Sequence, residues 1–150
     1  MNLIKTYFLG AAALLGGLLS RLFGGWSAAL GTLVICMAVD YLTGMLAAGV
    51  FHVSDKTASG GLESRAGWKG LCRKGVSMLI VLIAHRLDLA LGTAFVREAV
   101  IVGYIANEVL SIVENAGLMG VPIPQAVRNA VEALQGKEAR DGDPDEARED

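Results

Sequence analysis

The segment from Tyr104 to Pro124, YIANEVLSIVENAGLMGVPIP, is the strongest constraint on what this chain can fold into. Its first half belongs to a run apolar enough to enter a bilayer, yet it carries Asn107, Glu108, Ser111, Glu114 and Asn115. At about 100° per residue, these five and Tyr104 fall on one arc about 120° wide. Val102, Ile105, Val109, Ile112 and Val113 lie opposite. A charge at the centre of a spanning helix costs about 2.5–3.5 kcal/mol, whereas each Val, Ile or Leu contributes about 0.3–0.6 kcal/mol in favour of insertion. The eight large aliphatics from Val100 to Val113 therefore roughly cancel Glu108 alone. A helix facing lipid on all sides gains nothing from such a segment, so the stripe must meet protein, line water or lie at the interface. Tyr104, Asn107, Glu108, Ser111, Glu114 and Asn115 are accordingly candidate pore-lining or assembly residues. The plainer alternative is a static polar contact inside a bundle.

The rest of the chain has the profile of an integral membrane protein of one domain. Over half of its 150 residues are apolar, Gly is abundant at 19, and charge is confined to blocks. Residues 136–150 hold 7 acidic and 3 basic side chains, whereas the remainder holds 8 acidic and 10 basic, so the overall net charge of −2 conceals a segregation. No basic tract suggests a nucleic-acid partner. Cys36 and Cys72 lack metal spacing, and the chain shows no catalytic triad, no His/Cys cluster and no phosphate-cradling glycine loop. No catalytic residue, metal site or cofactor is expected.

A spanning helix needs roughly 20 mostly apolar residues. Four segments approach this, at about residues 6–23, 26–51, 75–91 and 97–116, with three spans if the first or fourth lies at the interface. Lys5 and the apolar run after it resemble a signal peptide, but more strongly apolar segments follow, so the run is taken as the first span. Between the second and third segments lies a basic loop with Lys56, Arg65, Lys69, Arg73 and Lys74, which places it in the cytoplasm; within it Ser64–Leu71, with Trp68, is a candidate short surface helix weakened by Gly67 and Gly70. With four spans, both termini share that side. The expected architecture is thus all-α: a multi-span domain at 1–116, a short amphipathic cytoplasmic or interfacial helix within 117–135, and a disordered acidic tail at 136–150. In the amphipathic segment Ile123, Val127, Val131 and Leu134 recur at helical spacing, after Pro124 and before Gly136.

Small residues recur four apart, as in Ala12/Gly16, Ala13/Gly17, Ser27/Gly31 and Gly44/Ala48. Such spacing lets helices approach closely in lipid, making Gly16, Gly17, Gly31 and Gly44 candidate packing positions and favouring a homo-oligomer. Asp40 sits near the middle of the second segment and needs a partner or water. The candidates are Arg86, His85, and the amides and hydroxyls of the fourth segment. The cluster His85-Arg86-Asp88 is otherwise the point where the third helix leaves the hydrocarbon.

These residues also carry a family resemblance. It rests on Asp40-Tyr41-Leu42-Thr43-Gly44, then Ser64, Gly67, Lys69-Gly70-Leu71 and Arg73-Lys74, then Ala84-His85 with Leu87-Asp88. It continues through Tyr104-Ile105-Ala106-Asn107-Glu108, Leu110-Ser111-Ile112, Glu114-Asn115-Ala116 and Gly120-Val121-Pro122-Ile123-Pro124. In order and spacing the chain resembles the toxin secretion/phage lysis holin family from about Val39 to Leu134. Val109 stands where relatives often have a small residue, and the loop at 50–64 is longer than usual. The resemblance implies a small phage or prophage protein that oligomerises in the cytoplasmic membrane and opens large lesions. Through these an endolysin, or in some relatives a toxin, crosses without needing to touch the protein. It transfers no catalytic residue. The residues alone reach only an oligomeric multi-span protein with polar intramembrane faces. That description also fits a small channel or transporter subunit using Asp40 and Glu108, or a membrane adaptor recruiting a partner through 124–135.

Overall fold

The computed structural model describes residues 2–57, 59, 61, 63–130 and 133. Among these the regular structure is all helical, with no strand: α1 (Asn2–Leu22), α2 (Ala28–Gly49), α3 (Ser64–Leu91) and α4 (Val96–Leu118). At about 1.5 Å per residue the four measure roughly 31, 33, 42 and 34 Å, against a hydrocarbon core about 30 Å thick. Two of them, over Leu3–Leu22 and Ala28–Gly49, are also apolar enough to cross a membrane. The core helix of a soluble protein passes the same test of length and composition but is mostly buried. Here the two apolar windows are only 0% and 17% buried, which is the pattern of helices meant for lipid or for other protein. Both α3 and α4 are long enough to cross but carry more charge.

The sequence predicts α1, α2 and α4 to within a few residues. It divides α3, reading a short surface helix at Ser64–Leu71 and a separate span from about residue 75, whereas one continuous helix begins at Ser64. Gly67 and Gly70 weaken helix propensity there, yet the helix runs through both without a break. Arg65, Lys69, Arg73 and Lys74 therefore occupy the first three turns of a helix, and only Lys56 belongs to the connection after α2. Beyond α4, residues 125–130 are helical, with Val127 N–H and Arg128 N–H donating to Pro124 C=O. Val131, Leu134 and the tail at 136–150 lie outside the described residues.

Three of the helices form a bundle. Helix α2 packs along α4, α3 packs on α4, and α2 and α3 touch over a shorter length. Leu30, Leu33, Met37, Val81 and Ile101 form the buried core. Arg97, at the start of α4, bonds to residues just before α2, while Asn115, near the end of α4, bonds to Asp40 and Thr43. So α2 and α4 run parallel, and α3 runs against both. Helix α1 takes no comparable part: Ile4, Tyr7, Phe8 and Leu14 are all more than 70% exposed. A contiguous apolar surface of that extent marks a face that contacts other protein or a membrane.

The end of the bundle at the α1–α2 and α3–α4 turns is held by polar contacts. Ser27 Oγ accepts from Leu30 N–H at 3.1 Å and caps α2. Asp88, buried at the end of α3, accepts from Thr93 Oγ1 at 2.6 Å and from the N–H groups of Val96 and Arg97 at 3.1 and 2.8 Å. It thereby caps α4 from outside that helix. Arg97 Nη2 reaches back to Gly25 C=O at 2.9 Å, and Nη1 pairs with Glu98 at 2.6 Å. His85 packs against the first glycine of the α1–α2 turn. Hence His85 and Asp88 tie helices together at this end, and neither they nor Arg86 pairs with Asp40.

The turn itself demands glycine. Gly24 has φ +80°, and a Cβ there would stand 2.5 Å from His85 Cε1. Gly24→Ala is expected to destabilise the bundle by at least about 1–2 kcal/mol from the left-handed backbone alone, with the steric clash in addition. Adding His85→Ala should recover only the clash. Denaturant unfolding in mild detergent checks both; full recovery by the second change would show that the backbone was not strained.

Candidate functional site: a charged cluster between three helices

The polar stripe of α4 meets charge from both of its neighbours. Lys74 Nζ, on α3, donates to Asp40 Oδ2 of α2 at 2.7 Å and also to Glu108 Oε2 of α4. The side chains of Asp40, Lys74 and Glu108 are only 12–14% exposed. Asn115 Nδ2 donates to the other Asp40 oxygen at 3.1 Å and to Thr43 Oγ1 at 3.1 Å. Thr43 Oγ1 in turn donates to Asp40 C=O. Lys56, from the α2–α3 connection, covers the cluster: its Nζ lies 4.0 Å from Asp40 Oδ1 and donates to Ser111 Oγ at 3.1 Å.

Helix geometry explains why these residues coincide. Asp40 lies nine residues before the end of α2, about 14 Å along the axis, and Lys74 ten residues after the start of α3, about 15 Å. Because the two helices are antiparallel and joined at that end, the residues reach the same depth. Glu108, Ser111 and Asn115 follow at helical spacing on the α4 face turned to both. Two carboxylates and two ammonium groups balance to zero net charge, as a weakly solvated site requires.

The candidate residues from the sequence separate into two groups. Glu108, Ser111 and Asn115 face the cluster, and Tyr104 is half-buried against the apolar core. Asn107 and Glu114, on the flank of the same stripe, are exposed. Of the partners expected for Asp40, the fourth-segment amide is present as Asn115. The cation is Lys74, which the sequence places in a loop. The missed signal is the equal depth of Asp40 and Lys74, visible only once α3 is extended back to Ser64.

Among the small residues, Gly44 lies at the α2–α4 contact, where an added Cβ would be 3.7 Å from Asn115 Nδ2. Gly31 lies under Trp26, 3.4 Å from its indole nitrogen on the same measure. Gly16 and Gly17 have open space around them: among the described residues nothing lies within 4 Å of a Cβ added at either.

The cluster joins three helices through one lysine, so its removal should be costly. Lys74→Met leaves two carboxylates facing each other, and breaking a buried ion pair from one side costs about 3–5 kcal/mol. Adding Asp40→Asn and Glu108→Gln should restore much of this, because amides keep the hydrogen-bonding capacity without the charge. Unfolding midpoints of the parent and the two variants in detergent measure the effect. Equal stability of Lys74→Met and the parent would show that the lysine is not clamped.

Comparison with known proteins comes to the same region from another side. The profile described as the bacteriophage holin family matches residues 17–136, which takes in the end of α1 and all of the bundle. An uncharacterised protein of Halalkalibacterium halodurans is 38% identical over 87% of this chain and 95% of its own length. An uncharacterised protein of Clostridium perfringens is 34% identical over 91% of this chain and 99% of its own. A probable holin of Bacillus phage phi105 is 31% identical over 69% of this chain and 71% of its own. No solved structure matches.

Proposed function

Because the chain belongs to the bacteriophage holin family, we propose that it accumulates in the bacterial cytoplasmic membrane, self-associates, and opens lesions that let an endolysin reach the cell wall during phage or prophage lysis. The observation that carries this reading is the clamp of Lys74 on Asp40 and Glu108, inside a bundle whose outer surface is largely apolar. Intramembrane charges of this kind either fix helix packing or line a path for water, and membership of the holin family favours the second role here. In the closed form the charges satisfy one another and the α4 stripe is turned inward. In the lesion, contacts between copies replace contacts within each copy, and Glu108, Ser111 and Asn115 exchange protein partners for water beside the already exposed Asn107 and Glu114. Chemically the exchange requires no covalent step and no cofactor.

In this reading all four helices cross the membrane. Helix α3 exceeds the hydrocarbon thickness by about 12 Å, and the excess is its basic first turns, which belong in the headgroup layer or the cytoplasm. Both termini then lie in the cytoplasm, and the turns at Gly24–Ser27 and 92–95 lie outside. Apolar α1, free of the bundle and carrying Gly16 and Gly17, supplies surface for contact between copies.

Replacing the stripe separates this reading from static packing. Glu108→Leu with Ser111→Leu should ease insertion by a few kcal/mol, yet abolish endolysin release at matched membrane abundance. Release at the parental rate would eliminate the water-lining role. The topology has its own test: a cysteine at Ser59 should resist an impermeant thiol reagent added to intact cells, and strong labelling there would invert the arrangement.

A further inference from the structure

On α3 one stripe changes character along its length. Lys69, Arg73, Val76, Ile80, Ile83 and Leu87 recur four and three apart and fall on an arc about 80° wide at 100° per residue. Lys69 and Arg73 are exposed and, among the described residues, make no ion pair. The four aliphatics below them are 40–55% exposed. Lys69 and Arg73 also border the cleft that holds Lys56, Lys74, Asp40 and Glu108. Four cations against two carboxylates leave that cleft a surplus of two positive charges, even with the buried clamp satisfied.

We infer that this stripe is a binding site for an anionic phospholipid, its phosphate held by Lys69 and Arg73 and an acyl chain laid along Val76, Ile80, Ile83 and Leu87. From Val76 to Leu87 is about 16 Å along the axis, enough to lay an acyl chain across about half of a hydrocarbon core about 30 Å thick. Arg73 is one residue from Lys74 and so lies near the level of the clamp; it and Lys69, about 6 Å nearer the cytoplasmic end of α3, reach toward the headgroup layer by extending their long side chains, as cationic residues below the interface do. Basic pockets between helices on the cytoplasmic side are suited to anionic headgroups, and the planar guanidinium of Arg73 can take two phosphate oxygens at once. A second copy of the chain fits the face poorly. Copies in a membrane share one orientation, so a self-complementary contact would set Lys69 and Arg73 of one copy level with those of the next, like charge against like. The inference rests on the multi-pass reading but not on lesion formation, because the lipid is expected on the inserted protein whether or not a hole has opened.

The test uses the full chain, reconstituted in vesicles of equal parts phosphatidylglycerol and phosphatidylcholine, extracted in mild detergent and weighed intact by native mass spectrometry. The parent should retain phosphatidylglycerol in preference to phosphatidylcholine. Lys69→Gln with Arg73→Gln should reduce that preference by roughly tenfold. Arg86→Gln, on another face at the opposite end of α3, should leave it intact and controls for general charge. Equal retention of the two lipids by the parent, or an unchanged preference in the double variant, overturns the site. Displacement of the lipid by inorganic phosphate assigns the cations to a free anion and overturns it too. In a Cys36→Ser, Cys72→Ser background, efficient oxidative crosslinking of Ile80→Cys between copies in these vesicles would give the face to a second chain instead. Separate measurement of endolysin release keeps the two proposals apart: retained lipid without release refutes the lesion reading alone, and release without preferential retention refutes only the lipid site.

Discussion

The bundle depends on one ammonium group shared by two carboxylates. Lys74 donates to Asp40 and Glu108, which come from different helices, so a single side chain fixes the mutual depth of α2, α3 and α4. In the four-span arrangement proposed above, apolar packing does not discriminate register well, since lipid is as good an environment for Leu33 or Val81 as protein is. A charge without its partner is a different matter, because sliding any of the three helices by one turn would expose it to hydrocarbon. Asn115 and Thr43 reinforce the same register from α4 and α2. The cluster therefore specifies the closed arrangement, while the apolar core merely permits it.

The other end of the bundle is organised differently. There the contacts run from side chain to backbone: Ser27 and Asp88 cap helices, and Arg97 holds a carbonyl of the glycine turn. Such caps satisfy groups that every helix end leaves open, so they are needed in any arrangement that keeps the turns. The two ends thus differ in kind. One can remain intact while the other exchanges partners, which is what the proposed passage from a closed to a water-lined form requires.

Much of this was legible in the sequence. The charge of Asp40 within an apolar segment and the arc of polar residues on α4 each announce a need for partners. The partner of Asp40 was not legible. Gly67 and Gly70 argue locally against a helix, and a run of basic residues ahead of an apolar segment has the composition of a loop. Tertiary contact with α2 and α4 overrides both signals and draws Lys74 inward, while its neighbour Arg73 stays exposed. Likewise, an arc of polar residues cannot reveal which half will be covered. Asn107 and Glu114 share the arc with Glu108 and Asn115 but lie at its opposite edge from Glu108, a distinction made by the position of α3.

The parallel alignment of α2 and α4 has an electrical consequence. Each helix carries a macrodipole equivalent to about half a positive charge at its start and half a negative charge at its end. With α3 opposed to the other two, the bundle does not cancel its dipoles: one helix's worth remains, with the negative pole at the end where Lys56, Lys69 and Arg73 gather. Lys56, in the connection after α2, sits where the backbone favours it, and Asp88 sits at the positive pole, over the first turn of α4; Lys69 and Arg73 ride on the opposed helix and are favoured only by its two neighbours. Side-chain charge and backbone dipole are therefore complementary at both ends, and turning α4 end for end would set them against each other.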